Sequence, residues 1–139
     1  MKKKRILIDM SATILHHGHI RLINKAKKFG KVIIGLTKDK DIKRIKGYTP
    51  EIKFKYRKEI LENIKNVSQV IQSNFYIDEK YLKKNKIDYL IHGNDNKNNI
   101  KKDKIKIFSR TKNISSTIIR KKAAQVFKRK KIWKKSTIT

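Results

Sequence analysis

At 139 residues the chain has the length of one domain, and its lack of cysteine excludes disulfides and thiolate metal sites. The 39 Lys and Arg against 11 Asp and Glu give a formal charge of +28, a field that attracts nucleotides, nucleic acid or acidic membranes. No apolar run approaches the roughly 18 to 20 residues of a membrane span, so a soluble protein is expected.

The basic start, Met1 to Arg5, is like the opening of a signal peptide, but Ile6 to Met10 is too short for its apolar core and contains Asp9. A cytoplasmic protein is expected. The excess charge is nearly all Lys, spread from end to end without Arg clusters or aromatic platforms. That pattern favours a solvated surface over a dedicated nucleic-acid face.

In chain order, Arg5 to Asp9 is an apolar run that predicts a buried strand. His19 to Phe29 follows with Ile20, Ile23, Ala26 and Phe29 at helical spacing, and Gly30 stops that helix. Lys31 to Thr37 is a second strand of the continuous apolar kind found in parallel sheets. After the charged stretch Lys38 to Pro50, read as a loop, a helix from about Lys55 to Lys65 places Ile60, Leu61 and Ile64 on one face. Val67 to Ile71 predicts a third strand. A short helix over Asp78 to Asn85, with Tyr81 and Leu82 inward, precedes the fourth strand, Asp88 to His92. Lys104 to Phe108 predicts a fifth strand, and Ser115 to Phe127 a last helix that offers Ile118, Ile119, Ala123 and Phe127 for burial. Alternating strands and helices give an α/β fold with a doubly wound parallel sheet of about five strands. One domain is expected over residues 1–127, with a loosely held basic tail over 128–139 for which Trp133 is the candidate docking residue.

In such sheets ligands bind beyond the carboxyl ends of the strands. His16-His17-Gly18-His19 stands there, between the first strand and the first helix. His16 and His19 are three apart at a helix N-terminus, where the helix dipole favours phosphate, and Gly18 permits close approach. Two nearby histidines are otherwise a chance surface cluster; their placement favours a phosphate site. A structural zinc site lacks ligands, since the remaining histidine, His92, has Asp95 as its nearest carboxylate in sequence. Arg110 to Thr117, in which Ser115 or Ser116 caps the last helix, offers a second anion cradle, although by itself the segment reads sooner as an ordinary Ser/Thr cap with Arg110 facing solvent. Gly93 to Asn96 reads as a turn.

The run Asp9 to Ile23 resembles the signature of the cytidylyltransferase-like superfamily of HxGH nucleotidyltransferases, and Arg110 to Thr117 resembles its RTxGISST motif. Val32 to Asp39, Tyr56 to Leu61 and Ile87 to Gly93 are similar to the glycerol-3-phosphate, phosphoethanolamine and phosphonate cytidylyltransferases. The resemblance covers about residues 4–124. It implies a Rossmann-like fold, CTP as co-substrate with Mg²⁺, a small phospho- or phosphono-substrate, release of pyrophosphate and a homodimer. It also implies that His16, His19 and Arg110 are catalytic. Ser11 and Ala12 supply backbone contacts to CTP, and Lys46 reaches its phosphates. Thr111, Ser115, Ser116 and Thr117 complete the pocket, with His17, Gly18 and Asp95 also at the nucleotide. The chain departs from the family pattern at Thr13, where Asp is usual, and at Lys65, Ser68, Asn94 and Asn113, the last replacing Gly. Three other readings compete: a catalytically weakened nucleotide-binding homologue, an adenylyltransferase and a basic nucleic-acid-binding protein.

Overall fold

Aliphatic runs flanked by lysines form the strands because a parallel sheet covered on both faces buries every side chain of its central members. The computed structural model describes residues 2–129; most of the basic tail, with Trp133, lies outside the described residues. Strands β1 (Arg5–Met10), β2 (Lys31–Thr37), β3 (Val67–Ser73), β4 (Tyr89–His92) and β5 (Ile105–Ile107) form one sheet in the order β3-β2-β1-β4-β5. Every neighbouring pair is parallel. This is the Rossmann-like, doubly wound arrangement expected from the sequence.

The helices are α1 (His17–Lys27), α2 (Asp39–Lys46), α3 (Phe54–Glu62), α4 (Glu79–Lys84) and α5 (Ser116–Arg129). Alternation along the strands divides the core in two. Ile6 and Ile8 of β1 pack with Ile23 and Ala26 of α1 and Leu61 of α3. Leu7 turns the other way, with Ile33, Leu82 of α4 and Leu90. Ile20 is half-buried on the same helix face, and Phe29, 43% exposed, stacks on Phe108 with ring centroids 5.7 Å apart.

Two elements differ from the sequence reading. Lys38 to Pro50 is not a loop throughout, because α2 occupies Asp39–Lys46. Only Ile42 and Ile45 mark its apolar side, too few for a clear period, while Asp39 and Asp41 favour its N-terminal turn and Gly47 ends it. The last helix buries less than its pattern suggested. Ile118 and Ile119 are half-buried, but Ala123 and Phe127 are exposed, and α5 continues through Arg129.

The carboxyl ends of β1 and β2 are joined to the helices by one side chain. Arg57 of α3 is 2% exposed, and its guanidinium donates to the carbonyls of Ser11, Thr37 and Ile52 and to the Asp39 carboxylate. Asp39 in turn accepts the backbone N–H of Phe54 at 3.1 Å, which opens α3. We expect Arg57→Met to keep the volume but leave these acceptors unpaired, destabilising the fold by about 3 kcal/mol. Urea denaturation checks this; an unchanged midpoint contradicts it.

Candidate active site

Strand order reverses between β1 and β4, and a cavity of about 920 Å³ opens beyond their carboxyl ends. Among the residues singled out from sequence, Ser11, Ala12, His16, Gly18, His19 and Lys46 line it from the amino-terminal half. Asp95, Arg110, Thr111, Ser115, Ser116 and Thr117 line it from the carboxyl-terminal half. His17 does not: it is exposed at the first position of α1, its ring 6.1 Å from that of His16. Lys46 reaches the cavity from the last turn of α2, not from a loop, with Nζ 5.7 Å from the centre of the Phe75 ring.

The two histidines are the N-terminal cap of α1, which starts earlier than its apolar period suggested. The Gly18 N–H donates to His16 Nδ1 at 3.0 Å, and the His16 N–H donates to His19 Nδ1 at 3.1 Å, a reciprocal capping box. Because a backbone N–H can only donate, each Nδ1 must be an unprotonated acceptor. The neutral rings therefore carry hydrogen on Nε2. The rings lie 4.0 Å apart. Burial, then the neighbouring His16, pushes His19 down from 6.5 to about 4, while burial and His17 lower His16. Gly18 makes room for this pair: a Cβ there would stand 2.8 Å from His16 Cε1. The site thus presents two uncharged N–H donors at the positive end of a helix.

The opposite wall is built on α5. Ser115 caps it, its Oγ accepting the Ile118 N–H at 3.0 Å, and Ser116 Oγ donates to the Ile14 carbonyl at 3.0 Å, fastening α5 to the loop after β1. Asn113 precedes this turn with φ 65°, a left-handed conformation in which Asn is the best substitute for Gly. Arg110 Nη2 donates to Asp95 Oδ2 at 2.6 Å. Gly93 lets this pair lie close, since a Cβ would come 3.1 Å from Asp95 Oδ1 and 3.2 Å from Arg110 Nε.

Thr13, which the sequence marked as a departure from the family pattern, and several residues given no site role from sequence complete the site. Thr13 is buried, and Arg120 Nη2 donates to its Oγ1 at 2.8 Å. The same guanidinium is gripped by both Glu51 oxygens at 2.7 Å and lies 4.4 Å from the centre of the Tyr48 ring. Thr13 is thus linked to the Glu51 carboxylate only through the Arg120 guanidinium. At the floor, Asp9 Oδ1 and His92 Nδ1 meet at 2.7 Å across the adjacent strands β1 and β4. Burial works against a charged His92, but the hydrogen bond and charge of Asp9, with Asp95, outweigh it and raise its pKa. The available signal for this pair was an ionisable residue closing each of two apolar strands.

Among the described residues no group of three His, Asp or Glu converges as a metal site. The cavity carboxylates are engaged, Asp9 by His92 and Asp95 by Arg110. This donor set suits an ion that arrives on phosphate oxygens and keeps its water, as Mg²⁺ does, and does not suit a protein-held cation.

His19 and His92 depend on pH in opposite senses. A His with a lowered folded pKa stabilises the fold above its unfolded value, and that stability is lost as pH falls; a raised one contributes at low pH and loses it as pH rises. For His19 the window runs from 6.5 down to about 4 and is worth at most about 3 kcal/mol. We expect His19→Asn to flatten the fall in melting temperature across this window relative to wild type. Parallel curves would rule this out.

The cytidylyltransferase-like family profile matches residues 11–122. Glycerol-3-phosphate cytidylyltransferase of Staphylococcus aureus (strain NCTC 8325 / PS 47) is 29% identical over 122 residues, 84% of this chain and 92% of that protein. The Bacillus subtilis (strain 168) glycerol-3-phosphate cytidylyltransferase is 28% identical over 126 residues, covering 87% and 98%. Ethanolamine-phosphate cytidylyltransferase of Arabidopsis thaliana is 31% identical over 100 residues, 68% of this chain, which spans only 24% of that longer protein. In fold, the lipopolysaccharide core biosynthesis protein from Thermoplasma volcanium GSS1 superposes with a TM-score of 0.60 at 20% identity, over 89% of this chain and 88% of that one. With a family match that spans both lobes of the cavity, the chain belongs to the cytidylyltransferase-like family of nucleotidyltransferase enzymes.

Proposed function

We propose that the protein transfers CMP from CTP to a small phosphorylated or phosphonylated alcohol or amine and releases pyrophosphate. The observation that carries this reading is the His16–His19 capping box, which fixes two neutral Nε2–H donors at a helix N-terminus in the same cavity as Arg110 and the α5 cap. Glycerol 3-phosphate and ethanolamine phosphate are the acceptors that the relatives' names point to. The RTxxISST ending, Arg110 to Thr117, favours CTP over ATP. The reading includes a cytoplasmic homodimer; among the described residues no helix is long and apolar enough to cross a membrane.

In this mechanism an acceptor oxygen attacks the α-phosphorus in line. The new P–O bond forms as the bond to the β-phosphate breaks, and pyrophosphate leaves with the electron pair. Chemistry of this kind is mostly positioning and electrostatic stabilisation, so it needs no covalent nucleophile. His16 and His19 donate to the α-phosphate oxygens as charge moves on them, Arg110 adds a positive charge, and the N–H groups at the start of α5 hold the nucleotide with Ser115, Ser116 and Thr117. Ser11, Ala12 and Lys46 add contacts to CTP. Mg²⁺ bound to the triphosphate would neutralise phosphate charge.

Incubation with CTP, Mg²⁺ and either acceptor should release pyrophosphate, and CTP should raise the melting temperature more than ATP. His19→Ala should lower kcat by about 10²-fold or more. His16→Asn keeps a good helix cap while removing the imidazole, so it should lose comparable activity without losing the fold. CTP binding without pyrophosphate release from any acceptor would leave a nucleotide-binding homologue and sink the enzymatic reading.

A further inference from the structure

Among the described residues, the two carboxylates that line the cavity are both engaged by the protein itself. Asp9, its side chain 7% exposed, meets His92 Nδ1 at 2.7 Å, and Asp95 accepts from Arg110 Nη2 at 2.6 Å. Against them the lining carries six fixed cations: Arg21, Lys25, Lys46, Lys97, Arg110 and Arg120. These lie at both ends of the strand order. At one end Lys46 follows β2 and Phe75 follows β3, joined by Lys97, whose neighbour Asn98 accepts the Ile77 N–H from the loop after β3. At the other end Lys25 of α1 stands over Phe108, which follows β5.

The aromatic rings of the cavity are occupied in the same way. A ring face attracts an ammonium or guanidinium group, so a cluster of uncovered rings would receive a cationic ligand. Here the protein supplies the cation. Lys25 Nζ lies 4.5 Å from the centre of the Phe108 ring, Lys46 Nζ 5.7 Å from that of Phe75, and the Arg120 guanidinium carbon 4.4 Å from that of Tyr48. The fourth ring, Tyr76, packs T-shaped against Phe75 with centroids 5.1 Å apart. At whichever end it lay, a positively charged head would give up water and find neither a free carboxylate nor an open aromatic cage.

We propose that the cavity selects its acceptor by charge: it takes a small phosphate ester whose remaining groups are neutral or anionic, such as a polyol phosphate, and rejects one that carries an ammonium. This inference rests on the cytidylyl-transfer reading and separates two acceptor classes that the reading leaves together. Specificity of this kind is built from repulsion as much as from attraction. The phosphoryl end is the same in both classes, so the fixed cations attract each alike and the other end of the molecule decides. At an effective dielectric constant of about 20, one unpaired cation roughly 7 Å away disfavours an ammonium by on the order of 10-fold or more.

Ethanolamine phosphate and 2-hydroxyethyl phosphate are alike in size and differ by an ammonium against a hydroxyl. Pyrophosphate release by the full chain with CTP, Mg²⁺ and each ester in turn therefore isolates the charge. The kcat/KM for 2-hydroxyethyl phosphate should exceed that for ethanolamine phosphate by about 10-fold. Lys25 and Lys97 are exposed, so Lys25→Glu and Lys97→Glu spare the fold, and at least one of them, at the end where the acceptor lies, should narrow the ratio about threefold or more. A wild-type ratio below about threefold, or one that neither variant narrows, overturns the inference and leaves the transfer reading standing. If wild type releases no pyrophosphate from any acceptor, the functional reading fails. Calorimetric titration with the same two esters then decides: tighter binding of 2-hydroxyethyl phosphate supports selection by charge, and equal or weaker binding, or none of either, overturns it.

Discussion

The Arg57 guanidinium is the constraint from which the site is hung. It collects the carbonyls of Ser11 and Thr37, which leave the ends of two neighbouring strands, and ties them to Asp39 and Ile52 at the entrances to α2 and α3. Backbone groups at the end of a buried strand have lost their sheet partners and cannot reach water, so one multivalent donor there is worth more than its charge. The loop it anchors bears Ala12 at φ 44°, a left-handed conformation costly for a residue with a Cβ, and leads into His16. The position of the histidines therefore depends on a residue that does not itself line the cavity.

Electrostatics in the cavity are finer than the overall charge of +28 suggests. Lysines cover the outside, yet at the reaction centre two imidazoles are kept neutral by burial and by donated backbone N–H groups. A third, on the floor, is biased toward its cation by Asp9. The same side chain serves two electrical purposes because its first nitrogen meets a donor in one case and a carboxylate in the other.

The departures from the family pattern separate into two kinds. Asn113 takes the left-handed turn that Gly usually fills, and Thr13 meets Arg120, which Glu51 accompanies from the segment between α2 and α3. The first keeps the local backbone geometry, and the second puts a hydroxyl against an Arg120–Glu51 ion pair where the family has a carboxylate. Nothing in the structure explains Lys65, Ser68 and Asn94, all of them exposed.

The sequence alone determined the sheet. Continuous aliphatic runs such as Lys31 to Thr37 have no other use in a chain this charged, and their alternation with helical periods dictates parallel strands. It also determined where to look, since His16, Gly18, His19 and the Arg110 to Thr117 segment are local patterns at strand ends. The α2 helix escaped because two isoleucines among charges make no period, and the exposure of Ala123 escaped because apolar spacing by itself does not set how deeply a helix face is buried. Arg120 and Thr13 are 107 residues apart, and Asp9 and His92 are 83 apart. Only the tertiary structure decided those pairs, because strand order, which sets β4 directly against β1, is fixed by the packing of the whole sheet and is written in no local segment of the chain.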